Sequence, residues 1–140
     1  MNDKKQNKEL QESFFELQMM QQQMKELQKQ IEKAEEQLME VEYLQQSIQE
    51  LSETKEETEI LIPIASGIFA KAKLQDGKHF LVNVGAETCT LKDHDQVKKM
   101  LAQQAQHIIE VHEHMTAKMQ DFMQHLQDAE QQIQKESHKK

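Results

Sequence analysis

From about Lys8 to Thr54 the apolar residues keep two interleaved rows, each with a period of seven. One row is Leu10, Leu17, Met24, Ile31 and Leu38; the other is Met20, Leu27, Ala34, Val41 and Ile48. Alternating steps of three and four over more than four heptads predict the seam of a coiled coil. Leu44 and Leu51 widen the stripe near its end. The intervening positions are mostly Glu, Gln and Lys, good helix formers that need no burial, and no Gly or Pro interrupts them. A helix of ~47 residues is about 70 Å long, more than a globule of this size can enclose. A second segment, from about Gln96 to Glu136, repeats the pattern. Its rows are Leu101, Ile108, Met115, Phe122 and Ala129, then Ala105, His112, Met119, Leu126 and Ile133. Asp93 stands before it as a candidate N-cap, with Gln96 three residues on to close a capping box. His112 is the one polar member of the ten, a residue that either marks register or loosens the coil.

Between the helical segments, residues 59–92 alternate with a period of two and predict four short strands. They run through Glu59–Ile64, Ile68–Leu74, His79–Val84 and Glu87–Leu91. Asp76-Gly77 carries the sequence signal of a tight hairpin, whose primed turn needs positive φ. Gly85-Ala86 turns the chain again. Pro63 puts the first strand at an edge, or marks its start. The expected organisation is a helix over 1–57, β-hairpins over 58–92 and a helix over 93–140, one domain overall. The fold class is mainly α with a small β region. Two helices with apolar stripes, joined by a compact β connection, are expected to fold back antiparallel. If residues near 54 and 95 mark the joined end, Met24 faces His125 and Met20 faces Ala129. Four strands from one chain cannot bury both their faces, so they are expected to enter a β-barrel or sandwich shared between subunits.

Composition excludes a self-contained enzyme core. Hydrophobic residues are 36% and aromatics 4%, there is no Trp, and the one Pro and three Gly all fall within positions 63–85. Glutamine alone accounts for 23 residues. Loops that shape an active site draw on Gly and Pro, and this chain has few to give. The net charge is −8 and all 17 basic residues are lysine. Without arginine, the preferred fork for phosphates and guanine edges, an acidic chain is a poor nucleic-acid ligand. Residues 1–59 hold the whole net charge, with 7 Lys against 15 acids, and are expected to present a solvated acidic surface. The single cysteine, Cys89, suits a reducing compartment. The longest uncharged stretch, Ile60 to Ala70, falls far short of the ~20 residues that span a bilayer. No signal-peptide pattern opens the chain. It is expected to be cytoplasmic and free of membrane.

Chemistry is sparse. Three scattered glycines cannot build a phosphate loop. His107, Glu110, His112, Glu113 and His114 crowd the second helix, but neither zinc-helix signature occurs; they read as a solvated helix face with one seam histidine. No catalytic residue, metal or cofactor is expected. The methionines say more. Met19, Met20 and Met24 lie on the first helix, and Met115, Met119 and Met123 on the second. Phe15, Met19 and Met123 fall off the seam rows, so a two-helix coil cannot bury them all.

The strand region resembles a known family. The residues that carry the likeness are Ile62-Pro63-Ile64, the run Gly67-Ile68-Phe69-Ala70-Lys71-Ala72-Lys73-Leu74, then Asp76-Gly77 and Phe80-Leu81-Val82-Asn83-Val84-Gly85-Ala86. Together with the order helix, four strands, helix, they resemble the alpha class of archaeal prefoldin subunits; two central hairpins point to that class. Ala65-Ser66 depart from it where glycines are common, and Glu87-Thr88-Cys89 is more polar than usual. The resemblance implies a hexamer of two alpha and four beta subunits, with coiled coils hanging from a double β-barrel. It also implies an ATP-independent chaperone that holds unfolded polypeptides and passes them to a group II chaperonin. In that setting Ile60, Ile62, Ile64, Ile68, Phe69, Phe80, Val82, Val84 and Leu91 are expected to join subunits. Phe14, Phe15, Leu17, Met19, Met20, Phe122, Met123 and Leu126 are expected to contact clients near the tips of the coil. The rival expectation is a structural coiled coil, either a homomeric filament or an adaptor for one partner helix.

Overall fold

A computed structural model of the chain describes residues 2–138. Its elements are helix α1 (Asn2–Glu53), strands β1 (Glu59–Ala65), β2 (Ile68–Lys73), β3 (His79–Asn83) and β4 (Cys89–Asp93), and helix α2 (His94–His138). The chain divides into two compact units: Met1–Gln37 with Ile108–Lys140, and Leu38–His107. Both helices continue from one unit into the other.

In the first unit the heptad rows are the residues withdrawn from solvent. Leu27, Ile31 and Ala34 are buried, and Leu10, Leu17, Met20 and Met24 half-buried. On α2, Ile108, His112, Met115, Met119, Phe122, Leu126, Ala129 and Ile133 are all half-buried. Burial at these rows is the seam the spacing predicts. The helices run antiparallel here: His112 Nε2 lies 3.1 Å from Glu35 Oε1, and Phe122 lines one groove with Leu27.

In the second unit Val41, Val97 and Leu101 are the buried apolar residues. One heptad before Ala105 comes Lys98, which is exposed, whereas its neighbour Val97 is only 2% exposed. The seam therefore shifts by one residue as α2 leaves the strands. The widening of the stripe divides: Leu51 is half-buried, but Leu44 is exposed. The capping box at the start of α2 closes in both directions. Gln96 N donates to Asp93 Oδ1 at 2.8 Å, and Asp93 N donates to Gln96 Oε1 at 3.0 Å. Two orphan N–H groups are thereby satisfied. The last turn of α1 uses hydroxyls instead, the Thr54 side chain donating to Glu50 O at 2.7 Å.

The four strands form two separate antiparallel hairpins, β1 with β2 and β3 with β4. Ile60 pairs Ala72, Ile62 pairs Ala70 and Pro63 pairs Phe69, with a register shift between Pro63 and Ala65. Proline thus sits in a two-stranded sheet, where each strand is an edge and a missing donor is tolerated. Gly67, at φ 78°, turns the first hairpin. In the second, Gly85, Ala86 and Glu87 all have positive φ, and Val84 N donates to Thr88 O at 2.9 Å.

The hairpin expected at Asp76-Gly77 does not form. β2 and β3 do not pair, and Gly77 has no positive φ. Asp76 builds a local turn with its side chain instead, accepting from Lys78 N at 2.8 Å. Glycine is needed at 77 for another reason. The residue is buried against the end of α1, where a Cβ would collide with the Leu51 carbonyl. Asp-Gly is a signal of two possible turns, and packing against α1 selects the one that links the hairpins.

Candidate functional site

Three arrangements of side chains could bind something, and each lies within one unit. The first is on the helix pair of Met1–Gln37 and Ile108–Lys140. Phe15, 63% exposed, stands with Phe14 and Met19 in solvent on α1, as Met123 does on α2. The heptad spacing gives the cause: Phe15, Met19 and Met123 fall outside the seam rows. The other four expected client residues, Leu17, Met20, Phe122 and Leu126, are half-buried in the seam. Two members of the expected set, Met123 and Leu126, meet Met24 and Met119 in an open groove of about 580 Å³. Gln21, Lys25 and Gln28 complete its lining. Met24 and Met119 sit on the seam rows, so spacing alone reads them as fillers of the coil. Their long unbranched side chains also reach the groove, and methionine adapts to varied apolar partners.

The second arrangement is the pair of hairpins. Ile62, Ile64, Ile68, Phe69, Val84 and Leu91 are exposed, while Ile60, Phe80 and Val82 are half-buried. The alternation leaves Leu61 and Leu81 exposed as well; neither was among the expected subunit-joining residues. Leu81 lies directly across from Leu91. The signal was present, because both faces of each hairpin carry large apolar residues. A rule that assigns one apolar face to each strand overlooks the second. Exposed strand edges and apolar faces of this kind invite another chain to pair with them.

The third is polar. Ser52, Lys78, His79, Asp93, His94 and Asp95 line a pocket of about 460 Å³ where the hairpins meet α2. His79 Nδ1 is 2.7 Å from Asp76 Oδ2. The backbone N–H of Lys78, then the His79 ring, hold the Asp76 carboxyl below its ordinary pKa. His94 Nδ1 approaches Asp95 Oδ1 at 3.5 Å, and its Nε2 is buried without a hydrogen-bond partner. Among the described residues no group of three or more His, Cys, Asp or Glu is placed to hold a metal ion. The histidines of α2 separate accordingly, with His112 on the seam beside Glu35 and His107 and His114 exposed. Cys89 is an exposed free thiol in β4. Among the described residues, no helix is long and apolar enough to cross a membrane.

Comparison with known proteins bears on the first two arrangements. The family model described as "Prefoldin subunit" matches residues 20–138, which takes in most of α1, both hairpins and α2. No curated protein matches the chain by sequence. Among solved structures, the chain is similar to the cryo-EM structure of filamentous PFD from Methanocaldococcus jannaschii, with a TM-score of 0.72 at 12% identity. That match covers 80% of this chain and 93% of the other. At such identity it speaks for the fold, two long helices flanking two small β-hairpins. With the family match spanning both helices and all four strands, the protein belongs to the prefoldin family.

Proposed function

We propose that the protein is a subunit of an ATP-independent holdase chaperone, a binding protein without catalysis. It holds unfolded polypeptides on the apolar surface of the first unit's helix pair and delivers them to a group II chaperonin. The observation that carries this reading is the combination of exposed Phe14, Phe15, Met19 and Met123 with the methionine-lined groove beside them. Burying one such side chain against a client contributes about 1.5–3 kcal/mol. That is weak for one contact and useful for reversible holding when several subunits act together. Two hairpins in one chain, together with the strand residues named above, support an alpha-class subunit of archaeal type, and the lone Cys89 suits a reducing cytoplasm. The hairpin faces, Leu61 and Leu81 included, then complete a β-barrel with prefoldin beta subunits, two alpha to four beta. Deleting residues 1–20 and 122–140 together is expected to abolish suppression of client aggregation by the assembled protein. Undiminished suppression by the truncated assembly sinks the proposal.

A second reading has one observation in its favour: the similar solved structure is filamentous. The chain is then a homomeric scaffold whose hairpins join copies end to end. Size-exclusion chromatography with light scattering, with and without a beta-class subunit, separates the two. A discrete hexamer formed only on mixing supports the chaperone, and open-ended growth of the chain alone supports the filament.

A further inference from the structure

Along α1 the outward positions of the heptad are polar for most of its length, as a solvated coil face should be. Within the second unit they are not. Met39 and Tyr43, one helical turn apart and 67% and 71% exposed, stand in solvent with Leu44 at the edge of the seam. Residues four apart share a helix face, so Met39 and Tyr43 form one apolar strip. It belongs to neither the exposed residues near Phe15 nor the hairpins: outward positions 22, 25, 29, 32, 33 and 36 between it and Met19 are Gln, Lys or Glu.

The charge around the strip is one-sided. The chain's whole net charge lies in residues 34–59, nine glutamates against Lys55, whereas residues 1–33 balance six lysines against six acids. In the second unit's share, 38–59, no lysine precedes Lys55, and Glu40 and Glu42 flank the strip, both exposed. The coil has no use for these residues. Exposed Met and Tyr on an outward helix face bury nothing within the unit, and clustered carboxylates repel one another. Both features are explained by a partner that brings aliphatic side chains and positive charge together. Tyrosine offers such a partner a flat apolar ring that also attracts cations, and methionine adapts its shape to an aliphatic neighbour.

We infer that the Met39–Tyr43 face of α1 is a docking surface for a lysine- or arginine-rich amphipathic segment of another protein. The segment's aliphatic side chains cover Met39 and Tyr43, and its cations meet Glu40 and Glu42. No residue of this site belongs to the proposed client surface.

The chain supplies its own reporter, since Tyr43 is its one tyrosine and it has no tryptophan. Tyrosine emission of the full-length chain, purified without other subunits, is followed while an 18-residue peptide of Leu and Lys, patterned as an amphipathic helix, is titrated in. A peptide of the same composition with the pattern scrambled is the control. Saturable change is expected for the patterned peptide. Affinity is expected to fall at least tenfold in Met39→Ser and in Glu40→Gln/Glu42→Gln, and to stay unchanged in Phe15→Ser/Met19→Ser. The proposal is overturned by no saturable change, by equal binding of the scrambled peptide, or by full affinity in Met39→Ser. It is also overturned by equal loss in Phe15→Ser/Met19→Ser, which assigns the peptide to the client surface. Emission that depends on protein concentration alone and loses that dependence in Met39→Ser overturns it too, because a second copy of the chain is then the occupant.

Discussion

His112 occupies a seam position in the first unit, half-buried, with its Nε2 3.1 Å from Glu35 Oε1 on the facing helix. The two side chains are 34% and 56% exposed, so water screens the contact and a pair of this kind contributes about 0–1 kcal/mol. A leucine at 112 would return part of the ~1.5–3 kcal/mol available from burying such a side chain. Replacing His112 with Leu is therefore expected to stabilise the helix pair by about 1 kcal/mol, read as a higher urea midpoint by circular dichroism. A lower midpoint would show that the contact with Glu35 outweighs the burial. Other residues are legible in the sequence alone: Asp93 and Gln96 because a capping box is a local motif, and Phe15, Met19 and Met123 because a fixed helical period decides which positions leave the seam. Leu61 and Leu81 are not. Whether an apolar strand residue matters depends on how many faces of the hairpin meet another surface.

At the scale of elements, both helices and all four strands follow from periodicity, and their pairing follows from packing. Asp76-Gly77 shows the difference. The dipeptide has the composition of a hairpin turn, yet it links two hairpins, because Gly77 lies under the last turn of α1 beside the Leu51 carbonyl. Nothing local announces that approach. Replacing Gly77 with Ala is expected to destabilise the second unit by about 1–3 kcal/mol, the usual cost of forcing an extra methyl into a filled space. Thermal unfolding followed by circular dichroism measures it, and an unchanged midpoint would mean that α1 yields to the methyl group. The shift of the α2 seam from Lys98 to Val97 has the same origin. The heptad spacing continues through Lys98 and gives no sign of the change.

For the molecule as a whole, most of the large apolar residues of the hairpins remain uncovered within the chain, Leu81 and Leu91 facing each other in the open. Under the proposed function they are buried between subunits. Leu81→Glu combined with Leu91→Glu is then expected to reduce the assembly to free chains with undiminished helix content. Light scattering reads the mass and circular dichroism the helix; an assembly of unchanged mass would remove those two residues from the subunit contacts. By itself the sequence determined the two seams, the existence of the strands, the cap of α2 and the want of a self-contained core, for each depends on local period, local hydrogen bonding or total composition. Only the tertiary structure decided which strands pair, why residue 77 must be glycine, where the α2 seam shifts, and which apolar strand residues stay in solvent. Each of these depends on atoms brought together from distant parts of the chain, and no pattern along the sequence encodes the distance between them.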